Sequence, residues 1–344
     1  MKKHFLLLAF ISTTVFVSAQ INNEKEPYMT RSLTADAIQS VEAKTSGGSI
    51  SVTGVASSEA RIEVYVSGNN NQQLSKEEIK QRLDELYNLD IAVANNKLAA
   101  SAKTKANIKD WKKALNIAYR IYVPQTASSD LSTSGGSIHL TNLSGAQSFS
   151  TSGGSLHLKS LSGKLDGKTS GGSIHLEDSR NDMDLQTSGG SIHAKNCSGN
   201  IRLQTSGGSL ELHDLQGTIK ASTSGGDVRG SSVEGELIAH TSGGNVRLTD
   251  LKSSLETSTS GGNIEVSFKE LGKYVKVNNS AGNVNISLPG GKGLDLDLSG
   301  NIEKTSFSNF SGKIDDNEVK GKLNGGGVPV TVHAGAGRIR INMR

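Results

Sequence analysis

Four histidines recur at one fixed spacing and carry the clearest chemical signal in the sequence. They lie 18 residues apart, at His139, His157, His175 and His193. If each 18-residue step is one turn of a stacked structure, neighbouring imidazoles lie about 5 Å apart. Such a row could share a divalent metal ion, or it could change its charge near pH 6.5, where histidine titrates.

The row is short, and its ends limit the chemistry. Continuing at the same spacing, the next four residues are Glu211, Arg229, Arg247 and Glu265, and His213 could sit beside the end of the row. No carboxylate or cysteine completes a recognisable ligand set. The sequence therefore predicts no metal site, and the four histidines are kept only as candidate ligands. The competing interpretation is that duplicated repeats inherited one solvent-exposed residue.

A pair of carboxylates raises the possibility of catalysis. Asp166 and Asp184 lie 18 residues apart and could act as the paired acids of a glycoside-cleaving enzyme. Arg202 and Lys220 follow at the same spacing, which favours a charge-compensated, solvated ladder. No nucleophile–base set is present, and the glycine pairs lack the lysine and the following helix of a phosphate loop. We therefore expect no catalytic residue and no cofactor, with a β-helical carbohydrate-active enzyme as the alternative.

The elements that position these side chains are internal repeats. Thr-Ser-Gly-Gly occurs eight times in steps of 18 residues, starting at Thr133, Thr151, Thr169, Thr187, Thr205, Thr223, Thr241 and Thr259. A fixed period in this range indicates a solenoid, in which each repeat is one coil. With the threonine as position 1, apolar residues recur at positions 6, 8, 11, 15 and 17, as in Leu210, Leu212, Leu215, Ile219 and Ala221.

Each coil is predicted to hold two short strands, because positions 6 and 8, and again 15 and 17, alternate with polar residues. The Ser-Gly-Gly corner makes one turn. A glycine or asparagine at position 13 makes the other, since both residues tolerate positive φ. Paired glycines argue against helices, and polar residues at positions 12 and 18 argue against a three-sided coil. The predicted fold is all-β: a parallel β-solenoid of 18-residue coils with two sheets and right-handed winding, with an inserted α+β N-terminal cap.

The chain divides into five predicted segments. They are a signal peptide at 1–19, a flexible lead-in at 20–36, a first coil with an inserted helix and strand cap at 37–128, the regular repeat array at 129–288 and degenerate C-terminal coils at 289–344. The leader is recognised by Lys2, Lys3 and the apolar run that ends at Val17-Ser18-Ala19. Inside the insertion, Ser75 and Glu78 form a capping box at the start of a helix. No segment is predicted to span a membrane.

The net charge bears on the class of binding partner, and the single cysteine bears on the core. The formal net charge of the chain is +4. Removing the leader takes away two lysines and no acid, which leaves 35 basic and 33 acidic residues, or +2. This near-neutrality argues against nucleic acid as a partner. The single cysteine, Cys197, occupies inward position 11, where we expect a buried small hydrophobe rather than a reactive thiol. A monomer is expected.

Several motifs resemble those of a bacterial putative adhesin family. They are the early corner Thr45-Ser-Gly-Gly48, the segment Tyr119-Arg-Ile-Tyr-Val-Pro124, the glycine-punctuated repeats and the closing Leu323-Asn-Gly-Gly-Gly327 and Gly337-Arg-Ile-Arg-Ile341. The resemblance implies an exported β-solenoid domain of unknown function with a suggested adhesive role and no assigned catalytic residue.

The function predicted from the sequence is therefore a non-enzymatic adhesin-like or scaffold protein. Its repetitive polar faces would bind a surface ligand, a glycan or an envelope protein, in the periplasm, on the outer cell surface or after secretion. A metal-binding surface protein is kept as a further alternative.

Overall fold

A computed structural model describes residues 26–69, 72–105, 110–303 and 307–344. The predicted signal peptide, 1–19, and the first part of the predicted lead-in lie outside these residues. In the described parts of the chain there are 25 strands and a single α-helix, α1 (Lys76–Leu86), with short 3-10 helices at Ser57–Glu59 and Trp111–Lys113. No helix among the described residues is long and apolar enough to cross a membrane.

The strands fall into three groups along the chain. The N-terminal group is β1 (Met29–Ser32), β2 (Ser40–Thr45), β3 (Ile50–Val55), β4 (Arg61–Gly68), β5 (Tyr87–Ala94), β6 (Lys97–Thr104), β7 (Leu115–Pro124), β8 (Ser128–Thr133) and β9 (Ile138–Thr141). The central group is β10 (Gln147–Thr151), β11 (Leu156–Lys159), β12 (Ser162–Thr169), β13 (Ile174–Glu177), β14 (Arg180–Thr187), β15 (Ile192–Gln204), β16 (Leu210–Ser222), β17 (Val228–Ser231), β18 (Glu234–His240), β19 (Val246–Thr259) and β20 (Ile264–Asn279). The C-terminal group is β21 (Val284–Leu288), β22 (Leu294–Ile302), β23 (Phe310–Ile314), β24 (Glu318–Leu323) and β25 (Val328–Met343).

The strands stack into two long ladders, here called sheet 1 and sheet 2. Sheet 1 holds positions 6–9 of each coil in the order β7, β3, β9, β11, β13, β15, β16, β17, β19, β20, β21 and β25, all parallel. Sheet 2 holds positions 15–18 in the order β6, β2, β8, β10, β12, β14, β15, β16, β18, β19, β20, β25 and β22, also parallel. The predicted parallel β-solenoid with two sheets is confirmed.

The core lies between the two sheets and is built from the predicted inward positions. Leu210, Leu212, Leu215, Ile219 and Ala221 are all buried, and the same frame holds through the array. Burying these side chains is the main favourable term for each coil, about 1.5–3 kcal/mol per large aliphatic group before entropy is subtracted. Cys197 is buried at inward position 11, as predicted, and burial raises the pKa of its thiol to about 11.

Several inward positions hold buried polar residues, among them Ser179 at position 11, Thr257 at position 17 and Gln147. Gln147 occupies position 15 of its coil, yet its side chain is buried. Its amide donates to the carbonyl oxygens of Ala127 and Gly145 at 2.9 and 3.0 Å, and its side-chain oxygen accepts from the Ser129 hydroxyl. Because each polar group has a partner, the cost of burying the amide is largely offset.

The threonine of each Thr-Ser-Gly-Gly corner is buried and links two coils, a contact that we call the threonine clamp. Each position-1 threonine lies inside the solenoid, and its hydroxyl donates to the position-4 glycine carbonyl of the preceding coil; Thr187 Oγ1 lies 2.7 Å from Gly172 O. The same hydroxyl accepts from the backbone N–H of Gly190 in its own coil. A Cβ on Gly190 would overlap the Gly172 carbonyl oxygen, whereas a Cβ on Gly189 would lie 3.5 Å from its nearest neighbour. The position-4 glycine is therefore required by close coil stacking.

The second turn contains two left-handed residues. At position 13, Gly163, Asn181, Gly199, Gly217 and Gly235 have positive φ, as predicted, while Gly145 and Ser253 do not. Position 10 is a second left-handed site that the sequence reasoning missed, with φ of 52–58° at Asn142, Ser160, Asp178, Asn196, Asp214, Ser232 and Asp250. Its restriction to Asn, Asp and Ser was the available signal, since Asn and Asp tolerate this conformation better than most residues.

At the N-terminal end the strand order departs from the chain order. β2 and β3 form the first coil, and the inserted strands β6 and β7 form another coil outside it. Two antiparallel strands then close the edges: β5 pairs with β6, and β4 pairs with β7 and carries β1. Helix α1 packs on β4, β5 and β7 through Ile79 and Leu83. Ser75 caps this helix as predicted, but the Glu78 carboxylate contacts Arg82 instead of reaching back.

At the C-terminal end the strand order also departs from the chain order, and antiparallel strands again cover an edge. The last strand, β25, lies between β20 and β22 in sheet 2, so the chain passes outward and then returns to fill a gap. Antiparallel β24 and β23 continue the edge beyond β22. At the degenerate corner Asn279 replaces threonine, and its amide donates to Gly262 O at 2.9 Å while its side-chain oxygen accepts from Gly282 N at 3.1 Å. Asn279 therefore makes the same two contacts with the backbone that threonine makes in the other corners.

Candidate functional site

The four predicted histidines form one column on the outer face of sheet 1. The ladder pairs His139 with His157, His157 with His175, and His175 with His193. Neighbouring ring centroids lie 4.6, 5.0 and 5.0 Å apart, and the planes differ by only 3–6°. The rings are half-buried because each stacks on its neighbours. We call His139, His157, His175 and His193 the histidine column.

The surroundings of two of the four histidines favour the neutral imidazole. Burial, followed by repulsion from protonated His157, lowers the pKa of His139. Burial also lowers the pKa of His175, with further contributions from His157 and His193. At the far end, His193 Nδ1 lies 2.8 Å from Glu211 Oε2, an ion pair when this histidine is protonated. The column therefore has a carboxylate at its His193 end, and burial disfavours the charged forms of His139 and His175.

The geometry does not gather the histidines around one point. In stacked parallel rings the nitrogen lone pairs lie in parallel planes, whereas a chelated ion needs donors that converge at about 2.0–2.1 Å. Within the described ranges, no group of three or more His, Cys, Asp or Glu side chains is placed to hold a metal ion. His213, also named from the sequence, contacts the Ser231 hydroxyl at 2.8 Å and does not extend the column.

A row of hydroxyls runs beside the column at position 5. The Ser137, Ser155 and Ser191 hydroxyl oxygens accept from the backbone N–H of the next coil at 3.1–3.2 Å. Each hydroxyl therefore keeps its own proton for an outward donor contact. Further along, Asp227, Asn245 and Asn263 take over the same acceptor role. Position 5 serves the stacking of the coils and also lines the outer face.

Beyond the column the same ladder carries fixed charges. Arg247 pairs with Glu265 at 2.9 Å, and Arg229 pairs with Asp227 at 2.5 Å. On the N-terminal side, the Arg120 guanidinium lies 4.6 Å from the Tyr65 ring centroid, and Arg61 lies 3.7 Å from that of Tyr122. The outer face of sheet 1 thus changes along its length from arginine and tyrosine, through histidine, to compensated ion pairs.

The paired carboxylates lie where the repeat predicts. Asp166 and Asp184 are neighbours in the β12–β14 ladder on the outer face of sheet 2. Arg202 Nη1 lies 3.6 Å from Asp184 Oδ2, consistent with the predicted charge-compensated ladder. Asp166 also lines a groove of about 420 Å³ on this face, together with Ser128, Ser148 and Lys164.

Two grooves follow the corners of the coils. The larger has a volume of about 620 Å³ and runs along the second turn, between rows that include Asn142, Ser162, Asp178, Arg180 and Asn196. The other, about 480 Å³, runs along the serine side of the corner, between Gln186 and Gln204 and the row of position-2 serines. Both grooves present hydroxyl and amide groups on successive coils. This is the donor and acceptor pattern that a hydroxylated polymer can meet at several points.

Residues 178–342, just under half of the chain, match a family model described as Toastrack DUF4097, which confirms the resemblance recognised in the sequence. A search among curated proteins finds no match.

Two solved structures were found by structural comparison. A putative cell adhesion protein from Clostridium sporogenes is 8% identical, with 92% of this chain and 98% of that chain covered and a TM-score of 0.20. A putative adhesin from Bacteroides fragilis is 15% identical, with 92% of this chain and 96% of that chain covered and a TM-score of 0.26. With such low TM-scores, neither structure supports an inference about this chain.

Proposed function

We propose that this chain, whose residues 178–342 match the Toastrack DUF4097 domain, is a non-enzymatic adhesin-like protein that binds a polysaccharide of the cell envelope. The observation that carries the proposal is the repetition of polar side chains on the outer faces, one per coil and in register. A polymer with repeating units can contact many equivalent sites at once, so weak contacts add through effective concentration.

The charge pattern supports a binding surface more than an enzyme. Arg202 pairs with Asp184, the second member of the acidic pair, and Lys220 follows Arg202 in the same row, so the row holds compensating charges rather than isolating two catalytic acids. The grooves are open and repetitive, whereas catalysis needs one site with distinct roles for its residues.

The proposal is tested by measuring binding of the purified chain to envelope polysaccharides and to whole cells, with and without EDTA, while the same samples are assayed for released sugar. We expect saturable binding without product and without an effect of EDTA. Oligosaccharides of increasing length from the bound polymer should show a steep fall in Kd with length. The heat-unfolded chain is the control.

Each other outcome has a clear meaning. Released sugar would replace the proposal with a carbohydrate-active enzyme. Loss of binding in EDTA would support a metal site at the histidine column. Affinity that does not depend on ligand length would contradict multivalent binding.

A further inference from the structure

We propose that the histidine column is a proton-gated binding strip for a carboxylate-bearing polysaccharide. The inference rests on the proposed polysaccharide-binding function and names the chemistry and the regulation of one face. The strip consists of the outer face of sheet 1 over β9, β11, β13 and the first part of β15, with its imidazoles at position 7 and its serines at position 5.

The fixed charges around the column nearly cancel. On the same strands, position 9 carries Lys159, Glu177 and Lys195, and Lys159 Nζ lies 3.5 Å from Glu177 Oε2. β16 contributes Glu211, which contacts the last histidine, and the titratable His213, which lies beside Lys195 and contacts Ser231. At the other end β3 contributes the uncharged Ser51. Two lysines therefore face two glutamates, and the strip has no net fixed charge until the imidazoles take up protons.

Protonation of the histidines changes the net charge of this strip. Each histidine adds one positive charge, and four histidines lie on four consecutive coils. Since the rings stack within 5.0 Å, the new charges form one continuous cationic line. Repulsion between these charges opposes protonation, and an anionic ligand laid along the line removes that repulsion.

The donor chemistry favours carboxylates on a sugar chain. A protonated imidazole has two N–H donors and no acceptor, so it suits an anionic oxygen. The position-5 hydroxyls beside it keep protons that can be donated to sugar oxygens. A nucleic-acid surface would instead need a net excess of permanent Lys and Arg charge, whereas the two lysines of this strip face two glutamates.

The test uses polygalacturonate as the probe and its fully methyl-esterified form as the uncharged control. Binding is measured by calorimetry at pH 5.5 and pH 7.5 at one ionic strength. We expect at least tenfold tighter binding of polygalacturonate at pH 5.5 than at pH 7.5. The methyl ester should show little binding at either pH. Galacturonate carboxylates stay ionised over this range, so the change must come from the protein.

Two matched variants test whether the histidine column causes the pH dependence of binding. His139→Gln/His175→Gln removes alternate rings of the column and should abolish most of the gain at pH 5.5. His240→Gln alters a histidine on the opposite sheet, where the ring contacts Ser258, and should retain the gain. Circular dichroism at pH 7.5 checks that both variants are folded. In addition, polygalacturonate should raise the Tm of the unmodified chain at pH 5.5 but not that of the double variant.

The outcomes separate this inference from the proposed function. Equal binding of the methyl ester, or an unchanged pH response in the double variant, would overturn the gated strip. So would absence of binding to polygalacturonate at pH 5.5. If oligothymidylate bound with the same pH dependence and the same sensitivity to the variants, the ligand class would be wrong. Cell binding that is equal at both pH values would leave the adhesin proposal standing and remove only the gate, whereas no binding to cells or any polysaccharide would remove both.

Discussion

The regular array and the two ends of the solenoid use the same coil but join it to its neighbours differently. In the array each coil pairs with the coil before and after it in the sequence, and all pairings are parallel. At the ends, β2 and β3 lie inside a coil built from later residues, and β25 lies inside a coil built from earlier ones. Antiparallel strands then cover the remaining edges.

This difference shows which contacts stabilise each region. A coil of the array depends on contacts with its nearest neighbours, as in other repeat proteins. The ends depend on contacts between segments far apart in the chain, which cost more loop-closure entropy but hide the open strand edges. Changes that disturb stacking should therefore be most harmful in the array, and changes in the turns of the ends should be tolerated.

The largest contrast is expected from one inserted residue. An alanine inserted after His175 would turn Leu176 outward and shift β13 against both neighbouring strands, because side chains alternate along a strand. We expect a loss of more than about 4 kcal/mol in the free energy of unfolding. An alanine inserted after Gly291 should cost far less, because Gly291 and Lys292 are exposed in the turn between β21 and β22. Urea unfolding of both variants measures the difference, and equal tolerance would contradict the stacked-coil model.

The glycine corner offers a finer contrast within one coil. Gly190→Ala places a methyl group on the Gly172 carbonyl oxygen and should destabilise the fold by about 3 kcal/mol. Gly189→Ala, one residue earlier, has room at 3.5 Å and should change stability by less than about 1 kcal/mol in either direction. Thermal and urea unfolding of the two variants provide the check. A similar loss for both would show that the glycines serve flexibility and not close stacking.

The threonine clamp should contribute less than the glycine. Thr187→Val keeps the shape but removes the hydroxyl that bridges Gly172 O and Gly190 N, leaving two buried backbone groups short of a partner. We expect a cost of about 1–3 kcal/mol. At the end of the array, Asn279→Thr should cost less than about 1 kcal/mol, because a hydroxyl can both donate to Gly262 O and accept from Gly282 N. Urea unfolding would contradict this if the Asn279 variant lost as much as the Thr187 variant.

The smallest effect is expected from protonation of the histidine column. The folded-state pKa values of His139 and His175 lie below the ordinary value of about 6.5, so their contribution to stability is present above pH 6.5. It is lost as the pH falls through 6.5 towards the folded-state pKa. The Tm of the unmodified chain should therefore fall as the pH is lowered from 7.5 to 5. The Tm of the double variant His139→Gln/His175→Gln should fall by a smaller amount over the same range. The His240→Gln variant should follow the unmodified chain, and a double variant that falls equally would show that other groups set this pH dependence.

Much of the array could be predicted because its pattern is local. The 18-residue period, the inward frame of Leu210 and Ile219 and the left-handed turn at position 13 all follow from residue type and spacing. The histidine column was also predicted, since a constant period places one imidazole above another. The burial of the position-1 threonine was not, because threonine fits either an exposed row or a buried clamp, and only the carbonyl above it decides.

The sequence by itself therefore determined the coil: which residues face the core, where the chain turns and which side chains share an outer row. Only the tertiary structure decided how the coils end. Apolar alternation in β6, β7, β22 and β25 shows that these are strands but not which strand each one pairs with. Pairing between distant segments depends on the total energy of competing arrangements, so the order of strands at both ends is a property of the assembled fold.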